Sequence, residues 1–285
     1  MTNNQVVALT AARYWTWCDT AVTAIPDDAF ASVAALPGVA EAAGLARDAL
    51  DPLLLDRRLR THAAGLAASA TLRNAHASAT LEGAEVPMEE LAGGNTGSPV
   101  LRVAAGVLEA HSAIRRLSGQ PARQVWAQLA AIVGREYLDD GQRGRPRQHD
   151  EPLHDPLHLR TLHAPDDVAV RLAVFAELLQ RPTSAPALVV AAIAHAELLA
   201  LQPFGAGNGI IARAYAHLVL AERGVDPDFF AMSDVGLLSL GRAAYVRAIE
   251  GYERGGEGVA QWCVHIASAF ERGAMLSRQA LSTME

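Results

Sequence analysis

The sequence predicts an all-α protein, and three observations predict it. Ala, Leu, Arg and Glu dominate while runs of β-branched residues are scarce, which favours helix throughout. Pro and Gly punctuate the chain where helical stretches end, at Pro26, Gly83 and the Gly93–Pro99 break. Aromatic residues make up only 5% of 285 residues that are 51% apolar, so the core must be aliphatic and packed closely through alanine.

The elements follow in order. A first helix is expected over about Gln5–Ala24, ended by Pro26, and Asp27 or Asp28 can cap the next. A long Arg-Ala-Leu helix runs over about Asp56–Leu81 and stops at Gly83, a C-cap residue. The Gly93, Gly94, Asn95, Gly97, Pro99 break divides an N-terminal helical subdomain (1–95) from a second unit (96–285). Helices resume over Pro99–Leu117 and Pro121–Tyr137. Leu138–Pro165 then mixes Asp, Pro, Arg and His without periodicity, a loop long enough to be functional. Helix returns over Asp166–Gln180 and Ala185–Gln202, a short loop spans Pro203–Asn208, and a helix follows over Gly209–Arg223. Two or three helices close the chain between Ser233 and Ser282.

Composition excludes several functions. All 24 basic residues are arginine, so neither a phosphate-binding P-loop lysine nor a Schiff-base lysine exists. A net charge of −7 argues against a nucleic-acid partner. Cys18 and Cys263 support neither a disulfide framework nor a cysteine zinc site. Met1–Ala21 shows no secretion signal, and the most apolar stretch, Ala185–Leu201, is too short and polar to span a bilayer, so a soluble cytoplasmic protein is expected.

The most informative segment is Gln202-Pro203-Phe204-Gly205-Ala206-Gly207-Asn208-Gly209-Ile210-Ile211-Ala212-Arg213. It is a Gly-rich turn between helices in which backbone N–H groups can converge on an anion at a helix N-terminus, with Arg213 one turn further in. The segment resembles the signature loop of the Fic (Fido) family, H-P-F-x-(D/E)-G-N-G-R-x-x-R, matching at Pro203, Phe204, Gly207, Asn208, Gly209 and Arg213. Upstream, Ser78-Ala79-Thr80-Leu81-Glu82-Gly83 resembles the family's inhibitory-helix motif, (S/T)-x-x-x-E-(G/N). The resemblance covers roughly residues 50–260 and implies a helical Fic core at 96–285 with an inhibitory helix at about 56–83. Gly144-Arg145-Pro146-Arg147 falls where the family has its substrate flap, which allows one short β-hairpin.

The departures fall on the chemistry. Where the family places the histidine that deprotonates a target hydroxyl, Gln202 stands, and an amide cannot take that proton. Ala206 replaces the acidic Mg²⁺ ligand and Ile210 the first motif arginine, so the Mg²⁺ site is expected to be lost. The resemblance therefore implies a degenerate Fic protein with no catalytic residue at the motif. Its remnant nucleotide-binding set is Phe204, Gly207, Asn208, Gly209 and Arg213, and its inhibitory set is Ser78, Glu82 and Gly83, with Glu82 paired to Arg213. Any ATP binding should be weak, and a regulatory role with a protein partner or a second copy of the chain is expected. The alternative is an active AMP transferase, acting on protein hydroxyls from ATP with a non-standard base. His195, two turns before Gln202, is the candidate base, although a buried structural histidine is the simpler reading, as for His217. His149, His154, His158 and His163, with Asp150 and Asp155, read as solvated loop residues rather than a metal site. Trp15, Trp17, Trp126 and Trp262 read as core or interface anchors.

Overall fold

A computed structural model describes residues 27–284, and every regular element within them is helical. In chain order these are α1 (Ala29–Ala34), α2 (Val39–Leu54), α3 (Leu59–Leu81), α4 (Met88–Ala92), α5 (Pro99–Leu117) and α6 (Ala122–Val133). The chain then passes through a 3₁₀ turn (Gly134–Glu136) and an irregular stretch to α7 (Pro165–Gln180), α8 (Ala187–Leu201), α9 (Asn208–Glu222), α10 (Ser233–Leu240), α11 (Arg242–Arg254) and α12 (Glu257–Ser282). The helix expected over Gln5–Ala24, with Trp15, Trp17 and Cys18, lies outside the described residues.

Local chemistry sets the boundaries. Asp28 caps α1 by accepting from the Ala31 N–H at 2.9 Å. The helix expected from Asp56 starts at Leu59 because the Asp56 carboxylate accepts from both the backbone N–H and the guanidinium of Arg58 and holds a turn there. Helix α3 ends as expected, with Glu82 at the cap and Gly83 in the left-handed region at φ 84°. The closing stretch divides at Gly241 and at Gly255 and Gly256, all with positive φ.

The flap is corrected: no strand occurs among the described residues, and 138–164 is a chain of turns. Pro146, Pro152 and Pro156 remove backbone donors that a hairpin ladder would need. Side chains hold the segment instead, with the Arg145 guanidinium on the Glu151 carboxylate and the same carboxylate accepting from the Gln148 N–H at 2.7 Å.

Two helices form the centre. Every residue of α8 from Leu188 to Leu201, and of α9 from Asn208 to Leu220, is buried. Helices buried on all sides form a core, and the amphipathic α2, α5, α6 and α12 are arranged around this pair or around each other with one apolar face inward. Trp126 stacks on Phe175 at 6.1 Å, and the Trp262 indole N–H donates to the Ala192 carbonyl at 2.7 Å, so both serve as core anchors. Core residues come from both sides of the Gly93–Pro99 break. Among the described residues, no helix is long and apolar enough to cross a membrane.

Helix α10, which delivers Asp234 to the interior, lies unusually close to α12. A Cβ added at Gly236 would collide with the Ala269 carbonyl, and one at Gly273 would come within 2.5 Å of the Met232 carbonyl. In an exposed helix, Gly→Ala gains about 1 kcal/mol. Here the clash reverses the sign: Gly236→Ala should destabilise the fold by about 1–3 kcal/mol. Urea unfolding would measure this, and an unchanged midpoint would mean that α10 and α12 separate at no cost.

Candidate functional site

The loop between α8 and α9 is built from the backbone. Helix α8 ends at Gln202, which adopts φ 44°, and its carbonyl accepts from the Arg147 Nε–H at 2.8 Å. The Arg147 N–H donates to the Pro203 carbonyl at 2.8 Å, and its guanidinium also reaches the His163 carbonyl. Further along, the His154 N–H donates to the Gly205 carbonyl at 2.8 Å, and its ring stacks on Tyr137 at 4.2 Å. The irregular 138–164 segment thus clasps the loop at two points.

The Asn208 side chain closes the loop on itself. Its Oδ1 accepts from the Phe204 N–H at 2.9 Å, and its Nδ2 donates to the Phe204 carbonyl at 2.8 Å. Gly207 has φ 75°, and a Cβ there would lie 2.5 Å from Val133 Cγ2, so only glycine fits. Ala206 and Ile210 are buried and bring no polar atom.

Glu82 lies against the start of α9. Its carboxylate Oε1 is 2.7 Å from Arg213 Nη2, and a Cβ added at Gly209 would strike the same oxygen. The side chain is only 5% exposed. The carboxylate thus lies at the buried N-terminal turn of α9, where N–H groups and the helix dipole favour an anion.

Every nitrogen of the Arg213 guanidinium is hydrogen-bonded. Its Nε–H donates to Ser78 Oγ at 2.8 Å, Nη2 to the Ser78 carbonyl at 3.2 Å as well as to Glu82, and Nη1 to the Tyr245 hydroxyl at 3.3 Å. Burial works against the guanidinium charge, but Tyr245, Glu82 and Asp234 outweigh it and raise its pKa. Burial raises the Tyr245 pKa, so the phenol stays neutral and its oxygen can accept from Arg213.

These contacts form a ladder between two helix faces. Asn74, Ser78 and Glu82 lie four apart along α3 and its cap; Ser78 and Glu82 meet Arg213, Glu82 also lies against Gly209, and Asn74 reaches the start of α10. At the far end, Asn74 Oδ1 accepts from the Asp234 N–H at 3.1 Å, and Asn74 Nδ2 donates to the Ala231 carbonyl at 2.8 Å. The Asp234 carboxylate faces His217 Nε2 at 3.2 Å and His111 Nε2 at 3.5 Å. Burial disfavours that carboxylate, yet His217, with His111 and Arg213 behind it, outweighs burial and holds it down at about 2.

The structure thus brings Ser78, Glu82, Gly207, Asn208, Gly209 and Arg213 together as the motifs imply, with Gly83 exposed at the end of α3. His195 is enclosed: Nε2 lies 2.5 Å from the Tyr245 hydroxyl and the ring meets Trp262 edge-on. Its position behind Arg213 fits the structural reading. The loop histidines are dispersed, His149 beside Asp166, His154 on Tyr137 and His163 on Glu253. Missed at the level of sequence were Tyr245, Asn74, His111 and Asp234; the four-residue spacing of Asn74 from Ser78 and Glu82 was a signal for Asn74 alone.

Comparison with known proteins places this geometry. Residues 120–220 match the model of the Fic/DOC family. No curated protein sequence matches the chain. A Fic family protein from Desulfovibrio desulfuricans G20 superposes with a TM-score of 0.65 at 17% identity, over 87% of this chain and 75% of that one. A Fic domain containing signaling protein from Bacteroides thetaiotaomicron VPI-5482 gives 0.59 at 14% identity, over 87% and 99% of the two chains. Fic-1 from C. elegans gives 0.60 at 17%, over 86% and 72%.

Two outcomes follow from the site's geometry. Asn208→Ala leaves the buried Phe204 N–H and carbonyl unpaired and should cost about 1–3 kcal/mol, read as a lowered denaturation midpoint. His195 is pushed down to about 3 by burial, with Arg213 adding to the effect. Its folded pKa is therefore below the unfolded one, so its contribution is intact above about pH 6.5 and is lost as pH falls towards 3. Stability should drop across that window, and His195→Gln should remove up to about 1.4 kcal/mol per pH unit of the slope; urea midpoints at a series of pH values would show it.

Proposed function

We propose a degenerate Fic protein, for a chain whose residues 120–220 match the Fic/DOC family model. On this reading it performs no AMP transfer and serves as a regulatory, partner-binding module whose anion site is closed by its own Glu82. The observation that carries the reading is the seat of that carboxylate, against Gly209 and 2.7 Å from Arg213.

Transfer of AMP to a protein hydroxyl forms a bond from the hydroxyl oxygen to the α-phosphorus of ATP and breaks the bond to pyrophosphate. The hydroxyl proton needs an acceptor, and the charge on the phosphates needs a cation. At the loop the first requirement meets Gln202, whose amide is not basic, and loss of a general base alone commonly costs about 10²–10⁴ in rate. The second meets Ala206 and Ile210, neither of which offers a ligand or a charge. What is left for an anion is the amide cradle of Gly207–Gly209, whose entrance at Gly209 the Glu82 carboxylate lies against, and the Arg213 guanidinium, which Glu82 already engages. His195 lends no support to a replacement base, because its ring is 2% exposed and committed to Tyr245.

Calorimetric titration with ATP, with and without Mg²⁺, tests this reading. The unaltered protein should bind weakly or not at all, with little dependence on Mg²⁺. Glu82→Gly and Glu82→Gln should bind at least tenfold more tightly, since a charge-assisted hydrogen bond is worth about 1.5–3 kcal/mol. Removing Glu82 also strands the buried Arg213 charge, so each variant is first checked for a cooperative thermal transition. Incubated with labelled ATP and cell lysate, neither form should label itself or another protein. Tight Mg²⁺-dependent binding, or robust labelling by Glu82→Gly, would restore the reading as a working AMP transferase.

A further inference from the structure

We propose that His111, His217 and Asp234 bind a divalent transition-metal cation of the zinc type, joining α5, α9 and α10 behind Arg213. The donor set is two imidazoles and a carboxylate, a combination that suits zinc. The three side chains are at most 4% exposed. One ligand atom from each falls within 4.8 Å of the others. His217 Nε2 lies 3.2 Å from Asp234 Oδ1, and His111 Nε2 lies 3.5 Å from Asp234 Oδ2. A tetrahedral ion with bonds of about 2.0–2.1 Å separates its ligands by about 3.3 Å, so each imidazole stands about one coordination edge from an Asp234 oxygen, a different one for each ring.

Satisfaction of polar groups points the same way. His111 Nε2 and Asp234 Oδ2 face each other, yet neither makes a hydrogen bond. A buried polar atom without a partner calls for an explanation, and a cation between them satisfies both. The Ser233 hydroxyl, 3.4 Å from His217 Nε2, is in place as a fourth ligand or as a partner for a bound water.

The surroundings tolerate the charge. Arg213 lies one turn back on α9 and opposes a cation, but its charge is already balanced by Glu82. Asp226, buried nearby with its carboxylate accepting from the Phe230 and Ala231 N–H groups, adds negative potential at His217. His217 is eight residues beyond Gly209, so the cation would sit about 12 Å along α9 from the anion cradle. Its role would be structural. It would fix α10 to α5 and α9, and through Asn74 it would set the register of α3, which carries Glu82.

The test uses the full chain, freed of metal by chelation and dialysis. Titration with Co²⁺ should give one equivalent of a tetrahedral visible spectrum, and Zn²⁺ should displace it and raise Tm by several degrees. His111→Gln and Asp234→Asn should each lose that spectrum, whereas the His149→Ala, His158→Ala double variant should keep it. Should the two buried variants fail to fold, the spectrum of the unaltered chain still decides. No saturable uptake by the unaltered chain, an octahedral spectrum alone, uptake that survives His111→Gln, or uptake lost in the loop variant would each overturn the proposal.

Discussion

A buried guanidinium is the constraint on which the interior depends. Arg213 lies within a helix that is buried over its first thirteen residues, where an uncompensated charge would be ruinous. Its partners must therefore come from every direction at once. They arrive from the end of α3 as the Ser78 hydroxyl, the Ser78 carbonyl and the Glu82 carboxylate, and from α11 as the Tyr245 hydroxyl. The requirement fixes the rotation and height of α3 against α9 to within a hydrogen-bond length. Ordinary hydrophobic packing of two alanine-rich helices would leave both loosely defined, since Ala offers few distinguishing knobs.

Seen from that pair, the polar ladder between α3 and α9 is one device with two ends. Near the loop, Glu82 meets the positive end of α9. Two turns away, Asn74 holds the backbone at the start of α10 and so presents Asp234 to the imidazoles. Gly236 and Gly273 let α10 come close enough to α12 to make that presentation. Small residues, buried amides and one ion pair thus do together what a bulky aromatic core does elsewhere, which fits a chain with 5% aromatic content.

How much of this was legible in the sequence depends on range. Helix ends written in local chemistry, such as the Asp28 cap, the Gly83 terminus and Pro165 in the first turn of α7, are readable because the causes lie within a few residues. The pairing of Glu82 with Arg213 was legible only through two motifs matched to a known family. Sequence spacing alone gives no reason for positions 131 residues apart to meet. Tyr245, His111 and Asp234 were illegible for the same reason, since each lies on a different helix and becomes a neighbour only when the bundle closes. The irregular 138–164 segment was recognised as a loop, but a hairpin there was misjudged because its prolines were not weighed against the donors a ladder needs.

The same geometry offers a physical account of which parts of the loop persist and which do not, on the degenerate reading proposed above. Gly207 is required by its backbone angle and by Val133, Asn208 by the Phe204 backbone, Gly209 by the Glu82 carboxylate, and Arg213 by the whole of the buried ladder. Each of these holds the fold together whether or not a nucleotide ever binds. Positions 202, 206 and 210 carry no such burden. Gln202 contributes only its carbonyl to Arg147, from a left-handed backbone that restricts conformation and not side-chain chemistry, while Ala206 and Ile210 need only be apolar and of the right size. A chain released from catalysis can therefore lose its base, its metal ligand and its charge clamp without unfolding. It cannot lose the glycines, the asparagine or the arginine, and so a cradle shaped for an anion outlasts the chemistry it would serve.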